Sequence, residues 1–332
     1  MSINVEYGEL YEPSFEKIKS RYIELAKTFH PDSGYTDGGD ENFAYITKLK
    51  NRAVEELKLG IWKSPGKISI EMLRGGWITF EFTQTDEFEL GRTYIGTDKV
   101  MFLIEEEFRE YYNNAVESID GIAYADERME AEFGGHVPTI LRQGISKCGY
   151  GVLIIRKETE EYPLKDILSR LGNRMDARHV AWIISRLCNI CCFLQYNQKV
   201  HNAVTVENLF VNPEMHTVSL LGGWWYCVGC GEKMIGTCEQ VYEYMTDECK
   251  TTGVAQYVTD QEMVHETAKQ LLNNKSLVFM KGEHTDIPAA MAAWVRGTST
   301  GCAFEEFENW NRTLDDSWGK REFVKLTVPG IN

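Results

Sequence analysis

The stretch VHNAVTVENLFVNPEMHTVSLLGGWWY, residues 200–226, follows the longest apolar-periodic run in the chain, DARHVAWIISRLCNICCFLQYNQ, residues 176–198. That run predicts a buried helix. Working outward toward the N-terminus, WITFEFT, FELGRTYI and KVMFLIE alternate or run apolar from Trp77 onward and predict strands. A helical EEFREYYNNAVESI and a polar loop come next, then strands near ILRQGIS and YGVLIIRK. After about residue 163 the chain reads mostly helical. Strands first and helices second is an α+β order, with a small sheet lobe ahead of a larger helical one. No internal repeat or low-complexity tract interrupts it.

This order and the 200–226 stretch resemble the protein-kinase family. The family writes H-R-D-L-K-P-E-N, a short hairpin, and then a strand ending in D-F-G. His201 falls on the motif His, Glu207-Asn208 on its E-N, and LFV on the strand that follows. YGVLIIRKETEEYPLKDIL resembles the fifth strand, the hinge and the next helix, and VTDQEMVHETAKQLL the central helix of the large lobe, with Asp260 near its start. The likeness covers residues 75–325 and implies a two-lobed protein-kinase-like domain.

Phosphoryl transfer needs a carboxylate at the acceptor hydroxyl, acidic ligands for magnesium and a Lys on the phosphates. Ala203 stands at the first carboxylate position, and Gly222-Gly223-Trp224 at the D-F-G position. The strand Lys would fall near Ile104 or Glu105, and Lys99 comes too early. TQTDEF, read as the first strand turn, has no glycine to wrap phosphate. Only Asn208 survives as a metal ligand, and one amide does not hold magnesium on a nucleotide. The resemblance therefore implies a pseudokinase, with His201 bracing the loop above Asp260 and no cofactor expected. The competing readings are a divergent kinase-like nucleotide-binding phosphotransferase using Glu207 or Asp260, and a structural or assembly protein.

The N-terminal sixty residues carry a different pattern. In SFEKIKSRYIELAKTFHPDSG, residues 14–34, Phe15, Ile18, Tyr22, Leu25 and Phe29 recur every three or four positions. Ser14 is a plausible N-cap and Pro31 a stop. A Gly- and Asp-rich loop leads to a second periodic run with Phe43, Ile46, Leu49, Ala53 and Leu57, which predicts a helical hairpin tipped by His30-Pro31-Asp32. By itself Pro-Asp is a turn opener. The whole segment, however, resembles helix II and the loop of a J domain, usually IKKAYRKLALKYHPD. That resemblance implies a DnaK-type ATPase chaperone as partner, with His30, Pro31 and Asp32 as the ATPase trigger and Lys19, Arg21 and Lys27 as docking charges. Ile23 and Glu24 depart from the family's Arg-Lys, and Gly8 weakens a short first helix.

The expected division is a J domain at 1–60, a linker at 61–74, the kinase-like domain at 75–325 and a tail at 326–332. The function expected from it is a co-chaperone that brings the chaperone to an unidentified client held by the kinase-like domain. Viruses and bacteriophages make fusions of this kind, so a host cytoplasm is one expectation.

A net charge of −15 argues against general nucleic-acid binding. MSINVEYGEL lacks the basic start and apolar core of a secretory leader, and no apolar run approaches the roughly 18 residues of a membrane span. Nine Cys without a leader point to free thiols in a reducing cytoplasm. Cys227 and Cys230 form half of a zinc-type spacing, which Cys238 and Cys249 would complete, but the later gaps of seven and ten residues are not a paired motif. Trp224, Trp225 and Tyr226 read as core. Phe304, Phe307, Trp310 and Leu314 mark one face of a terminal helix.

Overall fold

The computed structural model describes residues 5–30, 39–273, 286–320 and 322–331. The chain divides into two compact units, Met1–Arg109 with Arg142–Ile154, and Glu110–Leu141 with Ile155–Asn332. The fold is mixed helix and sheet, as the α+β order predicts.

The first unit opens with α1 (Tyr7–Leu10), α2 (Phe15–Phe29) and α3 (Gly39–Lys58). Helix α2 ends where expected. His30 takes extended backbone angles, as a residue preceding proline does, while its N–H still bonds the Ala26 carbonyl at 2.8 Å. Ile18 is the fully buried residue of α2, and Phe15 is half exposed. Across the helix pair, Tyr22 Oη lies 3.1 Å from Thr47 Oγ1, and Tyr11 Oη donates to the Ile46 carbonyl at 3.0 Å.

Residues 61–74, expected to be a linker, are folded. Strands β1 (Ile61–Ser64), β2 (Lys67–Glu71) and β3 (Trp77–Glu81) form an antiparallel meander. Pro65-Gly66 makes its first turn, with Gly66 at φ +67°, where glycine alone is unstrained. Short strands around a Pro-Gly pair read as linker by composition; their alternation is what buries Ile68, Ile70, Ile78 and Phe80 on one face.

The meander also ties the N-terminal helices down. Trp62 of β1 packs edge-on to Tyr7 at 5.0 Å within a cluster that includes Leu49, Ala53 and Leu57. The Lys63 N–H donates to Tyr7 Oη at 2.7 Å. A Cβ on Gly8 would collide with the Lys63 carbonyl. Gly8 is thus a close-approach residue, not a weak spot in α1. The meander's other face joins a second cluster with Tyr94, Met101, Val152 and Ile154. Those residues belong to a five-stranded sheet ordered β4 (Gln84–Phe88), β5 (Gly91–Ile95), β6 (Lys99–Ile104), β8 (Gly151–Arg156), β7 (Ile140–Ile145). TQTDEF is itself strand β4, not a turn.

The second unit holds α4 (Arg109–Asp120), α5 (Glu127–Phe133), β9 (Tyr162–Pro163), α6 (Leu164–Arg170), α7 (Ala177–Tyr196) and β10 (Lys199–Val200). Then come β11 (Leu209–Asn212), β12 (Thr217–Leu220), β13 (Val228–Gly229), α8 (Glu239–Tyr244), α9 (Asp247–Thr252), α10 (Tyr257–Leu271), α11 (Ala289–Arg296) and α12 (Ala303–Trp318). Helix α7 is the core of this unit and packs against α10, α12 and β12. By length and composition it is apolar enough to cross a membrane, contrary to the sequence reading, yet most of it is buried within the fold. On α12, Trp310 is buried and its Nε1 donates to Ser185 Oγ at 2.8 Å. Phe304 is exposed instead, and Glu306 points inward to His265 Nε2 at 3.1 Å. In the tail, Leu326 and Val328 are buried, and Arg170 Nη1 donates to the Pro329 carbonyl at 3.0 Å.

Candidate functional site

The loop between β10 and β11 is built around Asp260. In the first turn of α10, both of its oxygens accept main-chain N–H bonds from that loop: Oδ2 from His201 at 2.7 Å and Oδ1 from Asn202 at 2.9 Å. Burial is the main influence on this carboxyl and raises its pKa to about 7; the two amide donors oppose the rise. Asp260 therefore shapes the loop, and both oxygens are engaged.

His201 lies under the loop, fully buried and edge-on to Trp224 at 5.1 Å. Burial lowers its pKa to about 3, only partly offset by backbone groups of Gly222 and Ala203, so the ring is neutral. Asn202 adopts φ +56° and bonds the Tyr226 carbonyl through Nδ2 at 3.1 Å. Its own carbonyl accepts from Thr237 Oγ1 at 3.0 Å. The sequence reading missed Asn202 and Thr237. An Asn at a tight turn was the available signal for the first, and nothing local marks the second.

Ala203, which the sequence reading set at the catalytic-carboxylate position, is fully buried. Asn208 closes the loop, its Nδ2 donating to the Ala203 carbonyl at 2.9 Å and to Thr205 Oγ1 at 3.2 Å. Gly222 and Gly223 press against this arrangement. The Gly222 N–H bonds the Asn208 carbonyl at 3.1 Å. A Cβ on Gly222 would collide with Asn208 Oδ1 and lie 3.2 Å from its Cα. A Cβ on Gly223, at φ +81°, would stand 2.7 Å from both the Ala203 Cβ and His201 Cε1. Residue 222, which the sequence reading set at the D-F-G position, is thus packed against Asn208, and a side chain there would have to displace the Asn208 amide.

The two carboxylates of the enzyme reading are not convergent. Asp260 is buried on backbone amides, and Glu207 is exposed on a single 3-10 turn, Val206–Asn208. Lys99 sits at the exposed start of β6, 3.8 Å from Asp98, and the rest of that strand is apolar and buried. A buried lysine does occur elsewhere. Lys157 Nζ donates to the carbonyls of Glu158 at 2.7 Å and Glu161 at 3.0 Å, which makes it a loop brace.

The four cysteines of the zinc alternative are not assembled, and among the described residues no three His, Cys, Asp or Glu converge on a metal position. Cys249 Sγ is buried and donates to Gln256 Oε1 at 3.2 Å. Cys227 is buried, which pushes its thiol up to about 12, whereas Cys230 is exposed. Such spacing arises without a site when the intervening residues form unrelated elements. Trp224, Trp225 and Tyr226 form a buried 3-10 turn, with Trp224 Nε1 donating to the Leu220 carbonyl at 2.8 Å.

On α2, Lys19, Arg21 and Lys27 are exposed, and Arg21 pairs with Glu24 at 3.0 Å. His30 is exposed at the helix end, with its ring edge-on to Phe43 at 5.3 Å. Pro31 and Asp32 lie outside the described residues.

No family model matches the chain, and no curated protein matches it in sequence. Solved structures do match. A structure of vaccinia related kinase 3 aligns with 79% of this chain and 96% of that one, with a TM-score of 0.53 and 13% sequence identity. At that identity the likeness shows fold alone, and the fold is protein-kinase-like.

Proposed function

We propose that this chain is a kinase-like scaffold that does not transfer phosphate, and that its N-terminal helices engage a DnaK-type chaperone on behalf of a client bound by the kinase-like part. The first half is supported by the packing of Gly222 and Gly223 onto Ala203 and Asn208, where the sequence carries no carboxylate and a Cβ at residue 222 would meet Asn208 Oδ1. Phosphoryl transfer depends on such charges for most of its transition-state stabilisation. The test is incubation of the purified chain with magnesium and γ-labelled ATP, alone and with a generic protein substrate. No transfer is expected. Transfer that disappears in Asn208→Ala would restore the enzyme reading.

The second half is supported by α2, which presents Lys19, Lys27 and His30 to solvent. Because α1–α3 share a core with β1, the full chain is the proper reagent. It should speed single-turnover ATP hydrolysis by a DnaK-type chaperone, and His30→Gln should remove the effect. Stimulation that survives His30→Gln would dispose of the chaperone reading while leaving the scaffold reading intact. A host-cell cytoplasm remains part of this proposal.

A further inference from the structure

The second unit contains a cavity of about 630 Å³ that none of the kinase-like positions touches. Its walls come from one face of α7, the turn between β11 and β12, one face of α12, Lys320 and residues 322–324. The size is that of a small-molecule site.

Two features of the lining point to a ligand class. The first is a set of parallel rings. Trp182 of α7 stacks on His216 of the β11–β12 turn at 4.3 Å and 3°, and His216 stacks on Phe323 at 4.1 Å and 17°. His216 holds this position at φ +52°, with its carbonyl accepting from Arg186 Nε at 3.1 Å. The second is charge. Arg178 and Arg186 stand four residues to either side of Trp182, hence on its face of the helix, and Lys320 joins them. Among the described residues of the lining, Glu322 is the single carboxylate. A cationic wall is a local reversal in a chain of net charge −15.

Polar atoms in the aromatic wall are left over. Among the described residues, Trp182 Nε1 and His216 Nε2 are buried without a hydrogen-bond partner, and the Val324 backbone interacts with the His216 ring. Leaving a buried donor or acceptor unpaired is costly, so a group that supplies the missing bonds is favoured there. Burial, with His179 and Arg186 nearby, holds His216 below the usual histidine range; its ring, sandwiched between Trp182 and Phe323, adds a polar edge rather than a charge.

We propose that this cavity binds a small planar aromatic anion, with its ring against the Trp182–His216–Phe323 wall and its anionic group toward Arg178 and Arg186. Guanidinium groups suit such a ligand because they bond an anion and stack on a ring. The site is independent of phosphoryl transfer and of the chaperone contact.

The probe is 8-anilinonaphthalene-1-sulfonate, compared with the uncharged N-phenyl-1-naphthylamine, titrated calorimetrically into the full chain. The expected result is one sulfonate bound per chain, with the uncharged analogue about tenfold weaker or more, since a charged hydrogen bond contributes that much. Arg178 is exposed, so Arg178→Met should leave folding unchanged while weakening the sulfonate about tenfold and sparing the uncharged probe. Arg178→Lys should keep most of the affinity. Equal affinity for the two probes, no binding of the sulfonate, or sulfonate binding indifferent to Arg178→Met would each overturn the assignment.

Discussion

Gly223→Ala measures how tightly the D-F-G-like segment is closed. Two costs follow from the structure. At φ +81° any L side chain is strained, by roughly 1–2 kcal/mol. The new methyl would also stand 2.7 Å from the Ala203 Cβ and His201 Cε1 and 2.9 Å from Asn208 Nδ2. Relieving that overlap inside a packed core costs about 1–3 kcal/mol. The expected destabilisation is therefore about 2–5 kcal/mol. Gly253→Ala separates the two costs: Gly253 has φ +67° in the same unit, and its added Cβ would meet nothing within 4 Å. It should show the backbone strain alone. The assay is equilibrium urea unfolding followed by tryptophan fluorescence, with Trp224 adjacent to the site as reporter. If the two variants fall within about 0.5 kcal/mol of one another, Gly223 is not packed against Ala203 and His201 as described.

The double variant Ala203→Asp with Gly222→Asp should not gain phosphotransfer and should unfold at lower urea, because a Cβ at residue 222 would displace the Asn208 amide that closes the loop; labelled-phosphate transfer and the unfolding midpoint check both. His201 is neutral in the fold with a pKa near 3, far below its unfolded value, so its contribution to stability is full above about pH 6.5 and is lost as pH falls toward 3. His201→Leu should flatten that acid slope in urea midpoints measured from pH 7 to pH 4, and an unchanged slope would contradict the burial argument. Trp62→Ala should cost about 3–5 kcal/mol and loosen α1–α3 and the meander together, since Trp62 is buried between them. Hydrogen exchange would show it, and helices that stay protected while β1 opens would restore the separate N-terminal domain.

Local periodicity was enough to define α2, α7 and α12, because an apolar stripe every three or four residues has one regular solution, and α10 was placed by resemblance. The strands of the five-stranded sheet were legible from alternation or short apolar runs, apart from β4, whose polar sequence hides its pairing with β5. His201 and Asp260 were named together on resemblance, but the bond is from a main-chain N–H to a carboxylate across 59 residues, and no side-chain pattern encodes a backbone donor. Residues 61–74 looked like linker because of Pro65 and Gly66, while the stability of the meander they belong to comes from contacts with Tyr7 on one side and Tyr94 on the other. Four cysteines at suggestive intervals did not meet, and Glu306 turned inward on the strength of His265, a partner on another helix. Ala203 and Gly222 could be read directly from the sequence as small uncharged residues. That both are packed against Gly223 or Asn208, and that Trp182, His216 and Phe323 line one wall, depends on volumes filled by residues distant in the chain, which only the tertiary structure brings together.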